Sequence, residues 1–198
     1  KVLAMLLELM ADQRLQIYLA APTGKAAARL HEALEHARNH ISCHDRVRRA
    51  FPSEVFTIHR MLKPIKGSPY FHFNSENPLM ADVVVVDEAS MVDLALMAKL
   101  LAAVPEKAHL IFVGDKDQLA SVEAGSVLGD ICDRDVMHGF SETFKDQLQK
   151  LSGQNIDAFV KTTGTESGLQ DSIVVLRKSY RFKAGSGIGA LSAAVKRG

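Results

Sequence analysis

The sequence has no tryptophan, two cysteines and a formal net charge of only +1 over 198 residues. Cys43 and Cys132 are too few and too far apart to build a disulfide framework, which excludes the small stapled secreted scaffolds and fits a reduced, cytoplasmic setting. Near-neutral charge excludes a global field that would draw the whole domain to a polyanion, so any nucleic-acid contact has to be local. Long hydrophobic runs are missing as well. The apolar start, residues 2–10, is interrupted by Glu8, is too short for a bilayer and lacks the charged start and cleavage pattern of a secretion signal. The chain shows no internal repeat. Hydrophobic residues still make up 47% of it, enough to bury a core in one or two domains.

Val2, Leu3, Leu6, Leu7 and Met10 recur at helical spacing. Residues 15–20 read as a short buried strand closed by Pro22 and Gly24, and 25–39, rich in Ala, Leu and Glu, as the helix that follows. A short helix is expected over 57–62. Turn residues crowd 64–78 around Tyr70-Phe71-His72-Phe73, where aromatic and polar residues alternate as in a protruding hairpin. Val83-Val84-Val85-Val86 has the continuous β-branched character of a central parallel strand, with a helix after it over 93–104. Residues 109–113 form another buried strand, stopped by Gly114-Asp115; 132–171 reads as a surface helix and a loop, and 173–176 as strand-like. This alternation predicts an α/β domain whose functional groups gather where the strands end, near Thr23, Asp87 and Asp115.

The chemistry begins with Thr23-Gly24-Lys25, which ends like a phosphate-binding loop G-x-x-x-x-G-K-[ST]. Leu19 stands where the first glycine is needed and Ala26 where the hydroxyl is needed, so Lys25 has another task. Asp87-Glu88 puts two carboxylates at a strand tip, where one can hold a metal ion and the other orient water; a helix-capping acid pair is the alternative. Gly114-Asp115-Lys116-Asp117-Gln118-Leu119 adds a tight turn and an uncharged amide at the next tip, placed to sense a terminal phosphate. Ser179-Tyr180-Arg181-Phe182 offers an arginine of the kind that stabilises transferring phosphoryl charge, although alone it reads as a packed tyrosine beside a solvated cation. His36, His40 and His44, with Cys43, read as solvated imidazoles, since no glutamate follows His36 as a zinc-protease helix requires. Arg46, Arg48 and Arg49 read as a surface feature.

Taken in order, these segments resemble superfamily 1 DNA helicases, in their RecD-like branch. APTGKAA is similar to motif Ia, FTIHRML to motif Ib, VVVVDEASM to motif II, GDKDQLASVEAG to motif III and LRKSYRF to motif IV. The set spans residues 20–182, nearly the whole chain, and ASVEAGSVLGDIC is more specific to this branch than the widespread GDxxQL core. DEAD-box helicases would show a separate Ser-Ala-Thr motif, which is absent.

The resemblance implies a RecA-like parallel sheet flanked by helices over 1–62 and 79–182, an inserted pin hairpin over 63–78 and the start of a next segment at 183–198. It implies ATP and Mg2+, with Asp87 on the metal, Glu88 on the hydrolytic water, Gln118 on the γ-phosphate, Arg181 on transition-state charge and Tyr180 against the base. Pro22, Thr23, Gly24, Lys25, Thr57 and His59 would then face single-stranded DNA, with Lys25 beside a DNA phosphate. Phe71 and Phe73 of the pin would stack on bases or brace the hairpin. By family alignment Lys1 falls just beyond a P-loop that this sequence does not contain. The chain is therefore expected to be a fragment of the first motor domain, inactive alone, lacking the P-loop strand and prone to self-associate along the exposed sheet edge. Its parent would be a 5′ to 3′ translocase of double-strand-break repair and recombination, within exonuclease V beside RecB- and RecC-like subunits, and without a membrane. The alternative is a non-catalytic DNA-binding or subunit-docking module with a motor fold.

Overall fold

The computed structural model describes residues 2–10, 14–115, 127–133, 140–153, 169 and 171–176. Among them, β1 (Ile17–Ala21), β2 (Val55–Thr57), β3 (Val83–Val86) and β4 (His109–Phe112) form one parallel sheet in the order β2-β1-β3-β4. The crossovers are helical: α1 (Val2–Leu9) precedes β1, α2 (Gly24–His40) and α3 (Asp45–Ala50) join β1 to β2, α4 (Ile58–Leu62) follows β2, and α5 (Leu94–Ala103) joins β3 to β4. This is the α/β architecture expected from the alternation of apolar runs. The expected strands at β1, β3 and β4 form, within a residue or two of their anticipated ends.

Helices cover the sheet on both faces, which is why β3 is four consecutive valines. Side chains alternate across a strand. Leu19 and Val85 pack with Ala4 and Leu7 of α1, Leu34 of α2 and Val47 of α3 in one cluster, closed by Phe51. α4 packs against β1, β2 and α5, and Ile58, Leu62, Met97 and Leu100 on those two helices are fully buried. In register, Ala21 stands opposite Thr57, Ala20 opposite Val86, and Val86 opposite Phe112. The four strands therefore end level, and their outgoing loops share one edge.

β2 was not foreseen. Three residues are too few to show a period, and Thr57 also serves as the N-cap of α4, so its sequence signal is that of a helix start. Residues 63–78 hold a single antiparallel bridge, Pro64 to Phe71, in place of a hairpin ladder. β4 closes the sheet on its outer side among the described residues, and its residues are half-buried to exposed.

The chain divides into two compact units, Lys1–Asp130 and Ile131–Gly198. α6 (Val127–Asp133) runs across that boundary. In the second unit α7 (Glu142–Ser152) is capped by Ser141, which accepts from Phe144 N at 3.1 Å and is itself held by Asp171 through two hydrogen bonds of 2.7 and 2.6 Å. Residues 173–176 form no strand: β-branched character only becomes a strand beside a partner, and Leu176 is 90% exposed. Gln118, Tyr180, Arg181, the segment 183–198 and most of 132–171 lie outside the described residues. No helix among the described residues is long and apolar enough to cross a membrane.

Candidate functional site

At the tip of β3, the Asp87 N–H donates to Ala20 O (2.9 Å) and the Asp87 Oδ1 accepts from Glu88 N (3.0 Å). One carboxylate oxygen is thus used to shape the turn and the other remains for a ligand. Glu88 adopts left-handed backbone angles, φ 52° and ψ 38°, a conformation that costs a non-glycine residue about 1–3 kcal/mol and recurs at functional turns. The strained turn leads into a 3-10 helix, Ala89–Met91, whose Ala89 N–H donates to Val113 O at 2.9 Å. Gly114 follows directly. A Cβ there would lie 3.1 Å from Ser90 N, 3.3 Å from Ala89 N and 2.7 Å from Leu128 Cδ2, so any side chain would press on the loop after β3 and displace the leucine tip. Ser90 is 2% exposed and its hydroxyl has no hydrogen-bond partner among the described residues. Asp115, exposed, ends the described part of the β4 loop.

At the tips of β1 and β2 the pattern is different. Only Pro22 and Thr23 separate β1 from α2, and Leu19 is buried within the strand. Two residues are fewer than a loop that wraps a nucleotide's phosphates uses. Thr23 caps α2 by accepting from Ala26 N, and Thr57 caps α4 by accepting from Arg60 N, each at 3.2 Å. A hydroxyl that accepts at a cap keeps its own O–H to donate. Gly24, Lys25, His59 and Arg60 are exposed, and no ion pair engages Lys25 or Arg60 among the described residues. Between α2, β2 and α4 lies an open cleft of about 400 Å³, lined by Gly24, His31, Glu54, Thr57 and Arg60 among others.

Charge divides along this edge in the order of the strands. Residues 14–31 and 55–75 contain no carboxylate and carry Arg14, Lys25, Arg29, Arg60, Lys63 and Lys66, whereas 83–98 contain Asp87, Glu88 and Asp93 and neither lysine nor arginine. These segments make the β2/β1 side mainly cationic, with Glu54 the carboxylate that lines its cleft, beside an anionic β3 side.

The loop 63–78 is braced from within. Lys63, at φ 56°, ends α4; Phe71 is 8% exposed, its ring 5.7 Å from that of His59 and 5.3 Å from Lys99 Nζ, and Lys99 donates to Pro69 O at 2.9 Å. A base would reach Phe71 only if the loop opened. Phe73 is half-buried under Lys63 Nζ, 5.1 Å from its ring centre.

The three histidines separate. His36 and His40 stack at 4.2 Å on α2, but the helix ends at His40, and His44 instead meets Glu8 of α1, its Nδ1 3.0 Å from Oε1. Arg48 is not a surface cation like its neighbours: it is part-buried and donates to Ile41 O at 3.3 Å.

A four-stranded parallel sheet flanked by helices, with an acidic pair at one strand tip packed against a glycine at the next, defines an α/β domain of the RecA-like kind. Residues 1–124 match the model of an AAA domain, and the chain belongs to that family. Within it the chain is RecD-like. It is 37% identical to the RecBCD enzyme subunit RecD of Haemophilus influenzae, over 99% of this chain and 30% of that protein. It is 43% identical to the RecBCD enzyme subunit RecD of Mycobacterium tuberculosis, over 87% of this chain and 29% of that protein. The ATP-dependent RecD2 DNA helicase of Deinococcus radiodurans is 40% identical over 56% of this chain and 13% of its own length. The chain thus spans about 30% of the length of the curated RecD relatives it matches.

Proposed function

We propose that this chain forms the RecA-like part of an ATP-driven motor that moves 5′ to 3′ along single-stranded DNA, acting in double-strand-break repair beside RecB- and RecC-like subunits. The observation that carries the reading is the division of charge along the strand-tip edge. A phosphodiester strand suits the β2/β1 side, where Thr23, Lys25 and Thr57 offer donors and Arg60 an exposed cation; a metal-bound nucleotide suits the β3 side. The names of the RecD relatives support the same assignment. The residues present fit Mg2+: Asp87 keeps one carboxylate oxygen outside its own turn, and hard carboxylate oxygen is the donor this ion takes. When bound, the ion neutralises phosphate charge. Glu88 orients the attacking water and accepts its proton, Gln118 contacts the γ-phosphate, Arg181 meets the charge that develops and Tyr180 lies against the base.

Two substitutions in the full-length protein test the division. Glu88→Gln should abolish hydrolysis while nucleotide and DNA binding persist, and Lys25→Ala should weaken DNA binding while nucleotide binding persists. Loss of nucleotide binding in the lysine variant, or turnover within a few-fold of wild type in the glutamine variant, would overturn the assignment.

A further inference from the structure

The loop 63–78 turns one aromatic outward. Tyr70 is 71% exposed, although both its neighbours and its own backbone are fixed. Its N–H donates to Ser68 Oγ at 3.2 Å, its carbonyl accepts from Ile65 N at 3.1 Å, Ser68 N closes the turn on Ile65 O, and Gly67 at φ 75° allows the reversal. Phe71, next in the chain, is locked inward between His59 and Lys99. The two adjacent rings thus differ sharply in surroundings, Phe71 buried at 8% exposure and Tyr70 facing water. A largely apolar ring left in water on a backbone held by hydrogen bonds costs less further entropy when a second flat surface covers it than a ring on a free loop would. That is the property of a stacking platform.

The surroundings indicate what would cover it. Exposed Lys63 and Lys66 flank the turn, against one carboxylate in the loop, Glu76, six residues beyond Tyr70. The loop is also continuous with the cationic tips: Thr57 caps α4, His59 on α4 touches Phe71, and Phe71 carries Tyr70. We propose that Tyr70 stacks on a base of single-stranded DNA whose phosphates run from Lys25 and Thr57 onto Lys63 and Lys66. This rests on the assignment of the β2/β1 side to DNA and extends it to an aromatic residue outside the helicase-like motifs.

The test uses the full-length protein and oligodeoxythymidylate carrying one photoreactive 5-iodouracil. Wild type should crosslink within the peptide containing Tyr70. Tyr70→Ala should weaken binding about tenfold, as loss of one aromatic–base stack does, and Tyr70→Phe should restore it. Because the ring is exposed, neither variant should alter the melting temperature. Unchanged affinity in Tyr70→Ala, while Lys25→Ala binds more weakly, would overturn this inference and leave the DNA assignment standing. Wild type that does not bind the oligonucleotide would overturn both. Retained affinity with loss of a partner subunit on purification would also overturn it, making Tyr70 a protein contact.

Discussion

Gly114 and Ser90 meet backbone to backbone: a methyl group on Gly114 would lie 3.1 Å from the nitrogen of Ser90, with Leu128 Cδ2 closer still at 2.7 Å. The leucine tip can swing away, but the Ser90 and Ala89 nitrogens belong to a turn already strained at Glu88 and pinned to Val113 O. The turn that carries Asp87 and Glu88 is therefore packed directly against the backbone at Val113 and Gly114.

Gly114→Ala is expected to cost about 1–3 kcal/mol of stability, as other overpacking changes do, and to lower kcat for DNA-stimulated hydrolysis in the full-length protein more than it raises KM. Thermal denaturation and steady-state turnover measure the two effects. Wild-type values in both would show that the turn after Glu88 yields freely.

Thr23 and Thr57 are assigned two roles each, capping a helix and donating to a DNA phosphate. Thr57→Ser retains both, whereas Thr57→Ala should lose about 1 kcal/mol of cap energy and weaken single-strand binding equally for all sequences. Lys25→Ala should reduce the slope of log affinity against log salt by about 0.7, the value for one phosphate contact on single-stranded DNA. Loss confined to particular base sequences would point instead to base readout.

How much of this was legible beforehand follows from how local each signal is. β3 and its acids were readable because four valines end in Asp87 within one short stretch. The short turn after β1 was readable because a phosphate loop requires residues at fixed places, and Leu19 and Ala26 are not those residues. The direction of the aromatics in 63–78 was not readable. Which of Tyr70 and Phe71 faces inward is decided by His59 of α4 and by Lys99 of α5, the latter distant in sequence. Arg48 was misjudged for the same reason, since its burial depends on how α3 meets the carbonyl of Ile41.

The contact between Glu8 of α1 and His44 before α3 gives a pH dependence. The hydrogen bond from the His44 ring, then that from its backbone N–H, hold the Glu8 carboxyl below its ordinary value, and Arg46 adds a smaller pull. A depressed carboxylate pKa contributes stability above the unfolded value, and the contribution is lost as pH falls through the folded one. Wild type should therefore exceed Glu8→Gln in stability at neutral pH, and the difference should shrink below the usual glutamate range. Chemical denaturation at a series of pH values checks this. A difference that stayed constant into acid would assign the effect to packing of α1.

The 198-residue chain by itself is expected not to hydrolyse ATP. Asp87 and Glu88 can hold a metal ion and a water, but phosphoryl transfer depends chiefly on positioning and charge stabilisation, and the sequence contains no G-x-x-x-x-G-K-[ST] to supply either. Lys25 cannot substitute for the loop lysine. It follows a two-residue connection from a buried strand, and its helix continues with Ala26 where a metal-binding hydroxyl is required. Phosphate release with and without single-stranded DNA, measured beside a longer polypeptide that contains a P-loop and a second motor domain, separates the cases. DNA-stimulated turnover by the short chain, abolished by Glu88→Gln, would mean that the nucleotide occupies the β1/β2 cleft now assigned to DNA.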